Sequence, residues 1–277
     1  MNTQRWIVPL VRRLQKSLGR SRSAVFLAVK IRNQCQWVVQ WYLGEDDRRE
    51  LNGEKRAVDM IAPTCRTFMD VGANVGDWTD LFLRVGGDQM QGVLIEPSGS
   101  AMTRLEERFR GRSGISMVHA AASDQAGEAV FSEEANAGET SSLVRSFSHS
   151  SSKKVIVQVT TVDDEAAKAG LTEIDMLKID TEGFDLHVLN GAKRMLSEGR
   201  IGILQFEYNT PWARAGSTLA AAFSLLEGYG YQVFLLRSTG LHPLNYELYG
   251  EYFRYSNFVA ALPRKLPVLA PMIREKI

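Results

Sequence analysis

The sequence predicts an α/β protein: a Rossmann-like, mostly parallel sheet preceded by a helical extension. Three observations carry that prediction. From about residue 66 onward, short apolar runs of strand length alternate with helical patterns. The first run ends in an acid and a glycine-rich turn, Asp70-Val71-Gly72-Ala73-Asn74-Val75-Gly76. A second run, Gly92-Val93-Leu94-Ile95, ends in Glu96-Pro97. A strand closed by an acid and a tight turn that opens a helix is how an open α/β sheet offers backbone N–H groups to a nucleotide-type ligand.

Taken in order, strands are expected at 66–71, 92–96, 115–119, 174–180, 201–207, 231–236 and 257–262, and helices at 75–85, 100–110, 163–169, 184–196 and 218–227. The first helix carries Trp78, Leu81, Phe82 and Val85 at helical spacing, and Pro97 terminates the second strand. Apolar runs separated by helices imply parallel strands joined by right-handed crossovers. Val130–Phe131 and residues 155–161 read as an extra hairpin before the fourth strand. Between them a Ser-rich loop, 141–152, contains Phe147 and His149; loops of this kind serve as lids or substrate loops, or are simply flexible. There is no internal repeat.

At 277 residues, 44% hydrophobic and 23% charged, the composition is that of an ordinary globular protein. A net charge of +1 argues against a general nucleic-acid surface. Cys35 and Cys65 make neither a disulfide framework nor a convincing metal site, so a reducing compartment is expected. No run has transmembrane length and the N-terminus lacks a signal peptide's apolar core, so a cytoplasmic location is expected. The charge is uneven, however. No acid precedes Glu45, whereas Arg5, Arg12, Arg13, Lys16, Arg20, Arg22, Lys30 and Arg32 do, interleaved with apolar residues as two helices. Residues 1–53 therefore read as a basic helical extension, with a charged linker at 45–55, and 54–277 as the main domain. Such helices can lie against an anionic membrane surface or an acidic partner. The plainer reading, preferred on sequence, is a helical cap whose basic face is merely solvated.

The glycine spacing narrows the ligand. Dinucleotide sites read G-x-G-x-x-G with a pyrophosphate on the turn. Here Asp70-x-Gly72-x-x-x-Gly76 has no third glycine and no Lys or Ser/Thr of a phosphate-binding loop. Such a turn suits an adenosine without phosphates, as in S-adenosylmethionine, and disfavours a nicotinamide oxidoreductase. Glu96 stands where an acid accepts both ribose hydroxyls. Further on, the strand at 174–180 presents Asp180 and then Glu182 at its end, and the next presents Glu207, with Lys178 close by. Like charges on one rim repel unless a ligand, a cation or a Lys/Arg offsets them.

These motifs occur in order with Ala121-Ala122-Ser123-Asp124, Ala137-Gly138-Glu139-Thr140-Ser141-Ser142-Leu143, Leu177-Lys178-Ile179-Asp180-Thr181-Glu182-Gly183 and Leu189-Asn190-Gly191-Ala192. Together they resemble the FkbM family of methyltransferases over residues 68–261. The resemblance implies a class I methyltransferase fold: a seven-stranded sheet, mostly parallel with an antiparallel last strand, binding S-adenosylmethionine. It also implies O-methylation of a glycan or hydroxylated natural product. Carried over, Asp70, Gly72, Ala73, Asn74 and Gly76 hold the methionine end, and Glu96, followed by Pro97, takes the ribose. Ser123 and Asp124 sit by the adenine. Asp180, which also belongs to the cofactor site, and Glu182 face the transferred methyl. Thr181, where many relatives carry a small apolar residue, and Trp212 depart from the pattern and leave the acceptor pocket undefined.

Methyl transfer to an alcohol calls for alignment and for removal of the hydroxyl proton. Asp180 and Glu182 are the candidate bases, with Glu207 and His187 behind them. Equally, the acids can orient the methionine ammonium and cap the next helix without moving a proton. A third reading has Asp180, Glu207 and Asn209 bind Mg²⁺, a divalent metal that suits all-oxygen ligands. His119, His149, His187 and His242 are expected to be surface or satisfied histidines. The tryptophans are expected in the core, although a sugar stacking on Trp212 or Tyr208 is the functional alternative. The expected partner is a small-molecule or glycan acceptor. The rival from a different class is a non-catalytic cofactor-binding or membrane-associated assembly protein with the same fold.

Overall fold

The structure, a computed structural model, describes residues 4–43, 48, 52–87, 89–133, 143 and 153–277. Two compact units divide the chain, Met1–Gly44 and Glu45–Ile277. The first comprises α1 (Gln4–Leu18) and α2 (Arg22–Leu43). Ser21 separates them and caps α2, its hydroxyl accepting from the Ala24 N–H at 3.4 Å.

The second unit runs α3 (Glu54–Ile61), β1 (Thr67–Val71), α4 (Asp77–Gly86), β2 (Gln91–Ile95), α5 (Gly99–Arg108), β3 (Ile115–Val118), β4 (Ala121–Ala122), β5 (Gly127–Glu133), β6 (Lys153–Thr160), α6 (Val162–Lys168) and β7 (Ile174–Ile179). It continues α7 (Asp185–Asn190), α8 (Lys193–Ser197), β8 (Ile201–Tyr208), α9 (Trp212–Ala215), α10 (Leu219–Gly228), β9 (Gln232–Arg237), β10 (Gly240–His242), α11 (Tyr246–Tyr249), β11 (Ser256–Ala261) and α12 (Leu266–Leu269).

All seven expected strands form, in the order β3-β2-β1-β7-β8-β11-β9. β1 pairs in parallel with both β2 and β7, and β11 runs antiparallel between β8 and β9. This is the class I methyltransferase arrangement, with one correction to the strand count. The short β10 adds an eighth, antiparallel to β9 at the edge. Three residues are too few to show a period. The central strands are largely apolar because both faces are covered: all eight residues of β8 are buried, as are four of the five in β1, and the few buried polar side chains among them, such as Lys178 and Glu207, lie toward the carboxyl ends. The expected hairpin forms as β5 and β6, with Val130 opposite Ile156, and β4 joins β6 in a separate three-stranded sheet.

The helices follow the same logic. Trp78 and Phe82 of α4 stack at 4.6 Å between ring centres, and Phe82 lies 5.3 Å from the ring of Phe68 on β1. Ser98, Thr161 and Thr218 cap α5, α6 and α10 with side-chain oxygens. The single helix expected at 184–196 is instead two. Gly191 passes so close to the Ser123 carbonyl that a Cβ would lie 2.1 Å from it. Asp163 then restarts the helix by accepting the N–H groups of Arg194 and Met195 at 2.9 and 3.0 Å. The Ser-rich loop at 141–152 and the family-like segment at 137–143, apart from Leu143, lie outside the described residues, as do 45–47 and 49–51 of the linker expected at 45–55, whose last two residues instead open α3.

The chain leaves β1 toward β2 and β3, then returns to the other side as β7 and β8. The carboxyl ends of β1 and β7 therefore flank a topological switch point, the crevice where open α/β sheets bind ligands.

Candidate functional site

Gly72 follows β1 with φ +80°, and a Cβ there would lie 1.9 Å from the Asp180 carbonyl oxygen. The turn can press against the end of β7 only because this residue is glycine. The Asp180 N–H donates to the Val71 carbonyl at 2.9 Å, and the Gly72 N–H donates to Ile95 at 2.9 Å. Three strand ends are thus laced together, and Asp70, Glu96 and Asp180 belong to a single rim.

Within it, the acids differ sharply in environment. Asp70 is wholly buried, and its carboxylate accepts from the Thr79 hydroxyl at 2.6 Å. Glu96 is also buried and holds the glycine turn: its two oxygens accept the Asn74 and Ser98 N–H groups, each at 2.8 Å. Burial pushes its pKa up to about 7, against those two hydrogen bonds. Asn74 sits in the left-handed region at φ +47°, which asparagine tolerates, and Gly76 opens α4. Ala73 is buried in the turn, while the half-buried Pro97 directs its carbonyl to His119 Nε2 at 3.1 Å.

Past β7 the acids crowd. Asp180 accepts from Lys178 Nζ at 2.8 Å. Lys178 is only 3% exposed; burial opposes its charge, but Asp180, Asp70 and Glu54 hold the ammonium charged above its usual range. Its Nζ also lies 5.9 Å from the Trp78 ring centre. Glu182 has φ +51°, a strained conformation for a side chain of its size. One oxygen each from Asp180, Glu182 and Glu207 lies within 4.8 Å of the others, and Asn209 Nδ2 donates to both Glu182 and Glu207. Burial and then repulsion from Asp180, Glu182 and Asp185 raise the Glu207 carboxyl well above its ordinary range. Asp185, buried at the start of α7, is raised to about 7, by burial first and Asp180 second. It accepts from the Thr181 hydroxyl and the Glu207 N–H, both at 3.1 Å.

Ser123 and Asp124 stand apart from this cluster. Ser123 is buried after β4, and its hydroxyl donates to Asp124 at 2.9 Å. A cleft of about 580 Å³ opens here, lined by Ser123, Val130, Ile156 and Phe184 among others. His187, expected behind the catalytic acids, is engaged on this side: Nδ1 lies 3.7 Å from Asp124, Nε2 is 3.1 Å from the Ala215 carbonyl, and its ring stacks on Phe184.

Sequence reasoning missed Thr79, Asp185 and Glu54. Asp185 had a readable signal, an acid opening a helix beyond an acid-tipped strand; Glu54, which accepts from Gln205 at 2.7 Å, had none. Stacking of a sugar on Trp212 or Tyr208 is overturned, because both are fully buried among Phe206, Phe258 and Tyr252. The core expectation fails in turn for Trp37 and Trp41, which are exposed on α2.

A family model described as the methyltransferase FkbM domain matches residues 70–233, more than half of the chain. No curated protein sequence matches. Among solved structures, similarity is found to an FkbM methyltransferase from Methylobacillus flagellatus KT (17% identity, TM-score 0.46) over 70% of this chain and 43% of that one. The present chain thus spans less than half that protein's length. It is also similar to the O-methyltransferase TomG of Streptomyces achromogenes, solved with S-adenosylmethionine (10% identity, TM-score 0.41; 76% and 78% covered). A third is Aeropyrum pernix fibrillarin, with natively bound S-adenosylmethionine (11%, 0.40; 82% and 74%). With that family model matching more than half of its residues, the chain belongs to the FkbM family of methyltransferases.

Proposed function

We propose that the chain binds S-adenosylmethionine on the rim of β1, β2 and β7 and methylates a hydroxyl of a glycan or a hydroxylated small molecule. The observation that carries this reading is the contact between the Gly72 turn and Asp180, which joins a glycine cradle to an acidic cluster at the switch point. A glycine turn pressed against the end of β7, beside several carboxylates, fits a donor bearing a sulfonium and an ammonium. When bound, that donor supplies an electrophilic methyl group.

The residues divide the work. Glu96 accepts from the ribose hydroxyls; its oxygens are already oriented by Asn74 and Ser98 and retain free lone pairs. Asp124 accepts from the adenine amine and is steadied by Ser123. Backbone groups of 72–76 hold the methionine end. Asp70, being buried, is a positioning residue that fixes the turn through Thr79. Asp180, Glu182 and Glu207 act as one proton-accepting unit: the acceptor hydroxyl gives its proton to an outer carboxylate, and the close oxygens share it. Lys178 prevents the cluster's charge from accumulating.

The test combines calorimetry with S-adenosylmethionine, S-adenosylhomocysteine and NAD, and radiolabelled methyl transfer to hydroxylated metabolites and glycans. Binding of NAD instead of the methyl donor overturns the reading. For the base role, Asp180→Asn and Glu182→Gln should each lower turnover at saturating donor by about 10²–10⁴-fold. Near-normal turnover in both leaves the acids only the task of orienting the ammonium. Activity should survive EDTA; loss restored by Mg²⁺ would transfer hydroxyl activation to a bound cation.

A further inference from the structure

We propose that the N-terminal unit docks on an anionic lipid surface, with α1 and α2 lying along it and their cations among the headgroups. Charge provides the first argument. Residues 1–44 contain eight Lys/Arg and no Asp/Glu, while the remainder of the chain has 25 and 32. A unit of uniform positive charge is attracted to anionic headgroups, and repels a second copy of itself.

Exposure provides the second. Among the described residues sixteen large hydrophobic side chains are exposed, and thirteen of them lie between Val11 and Tyr42. On α1, Val11, Leu14 and Leu18 fall on one face and are exposed; Ile7 and Leu10 share that spacing in the sequence. Arg12, Arg13 and Lys16 occupy the opposite side and are also exposed. An exposed apolar stripe backed by cations is the pattern of helices that settle at the boundary between headgroups and acyl chains.

The aromatic side chains of α2 suit the same surface. The helix's last turns expose Trp37, Trp41 and Tyr42, at 50%, 71% and 50%. Amphipathic rings of this type partition to membrane interfaces. Lys30 Nζ lies 4.8 Å from the Phe26 ring centre, keeping a cation beside an exposed apolar side chain. No helix among the described residues is long and apolar enough to cross a membrane, and the proposal is of a surface-lying unit.

The test is co-flotation of the full chain with vesicles of phosphatidylcholine alone, or of phosphatidylcholine mixed with phosphatidylserine. Flotation is expected with the anionic vesicles only, and should weaken between about 0.15 M and roughly 0.5 M salt. Reversing Arg12, Arg13 and Lys16 together to Glu should reduce the partition coefficient at least about tenfold. Leu14→Ser with Leu18→Ser should reduce it several-fold through lost apolar burial. An unchanged thermal midpoint of the main transition shows that neither variant disturbs the second unit. Equal flotation with both vesicle types, flotation of the charge-reversed protein at the wild-type level, or no flotation at all overturns the proposal. Concentration-dependent dimerisation in sedimentation velocity without vesicle binding also overturns it, and assigns the apolar faces to a second copy.

Discussion

At the scale of single residues, the site's chemistry is set by how each carboxylate is held. Glu96 has both oxygens occupied by backbone N–H groups and a pKa pushed up to about 7, so it is oriented before any ligand arrives. Glu96→Gln keeps the shape but replaces one accepting oxygen by a donor facing an N–H group. Donor affinity measured by calorimetry should fall about 10–100-fold, with turnover at saturating donor much less affected. Glu182 makes the opposite test. Its φ of +51° is costly for glutamate, and its charge adds to a crowded cluster. Glu182→Gly relieves both, so the thermal midpoint should hold or rise while methyl transfer collapses. A loss of stability in that variant would show that the side chain is structural. The sequence made Glu96, Asp180 and Glu182 legible because each stands just beyond the end of a strand on the ligand-binding rim. It could not show that Asp70 faces inward to Thr79, nor that Lys178 serves three carboxylates, because those pairings depend on how α4 packs on β1 and how β1 and α3 stand beside β7.

At the scale of elements, seven strands were readable because each central strand is an apolar run bounded by turn residues. Their boundaries shift by only a residue or two from expectation. The long helix at 184–196 was misread for a physical reason. Its apolar spacing continues across residues 191–192, but the backbone of Gly191 is pinned against Ser123 and Asp163 reopens the helix. Periodicity reports which face is buried and carries no information about a neighbouring carbonyl. β4 and β10 escaped because two or three residues have no readable period. The contact between β1 and β7 yields the prediction at this scale. Gly72→Ala would force a Cβ to 1.9 Å from the Asp180 carbonyl at φ +80°, so the turn or the end of β7 must move. Destabilisation by about 1–3 kcal/mol is expected in chemical denaturation. Donor affinity should fall more than stability alone explains, because the displaced atoms are the cradle itself. Unchanged affinity in a folded Gly72→Ala protein would separate the turn from the binding site.

At the scale of the whole molecule, the acids that burial and mutual repulsion raise give the protein a pH dependence of known sign. Glu96 and Asp185 are pushed to about 7, and Glu207 well above its ordinary range. Unfolded, such groups ionise near pH 4, so between about pH 4 and 7 the folded chain binds more protons than the unfolded one. Their contribution to stability is complete below about pH 4 and is lost as pH rises through 7. Asp175 works the other way: burial opposes its charge, but Lys265 at 2.8 Å holds it below its usual range, so its contribution fades only in acid. The free protein should therefore melt at a higher temperature at pH 6 than at pH 8. A cationic ligand seated among the raised acids reverses the preference, because its charge favours their ionised forms and binding releases protons. The affinity for S-adenosylmethionine should then increase from pH 6 to pH 8, by up to about tenfold per pH unit for each proton released. S-adenosylhomocysteine, which lacks the sulfonium charge, should show a shallower increase. Thermal shift titrations of both ligands across that range measure the two slopes directly. Two flat lines would mean that the donor does not sit among these carboxylates, whereas two parallel rising lines would place them around the ammonium rather than the reacting methyl.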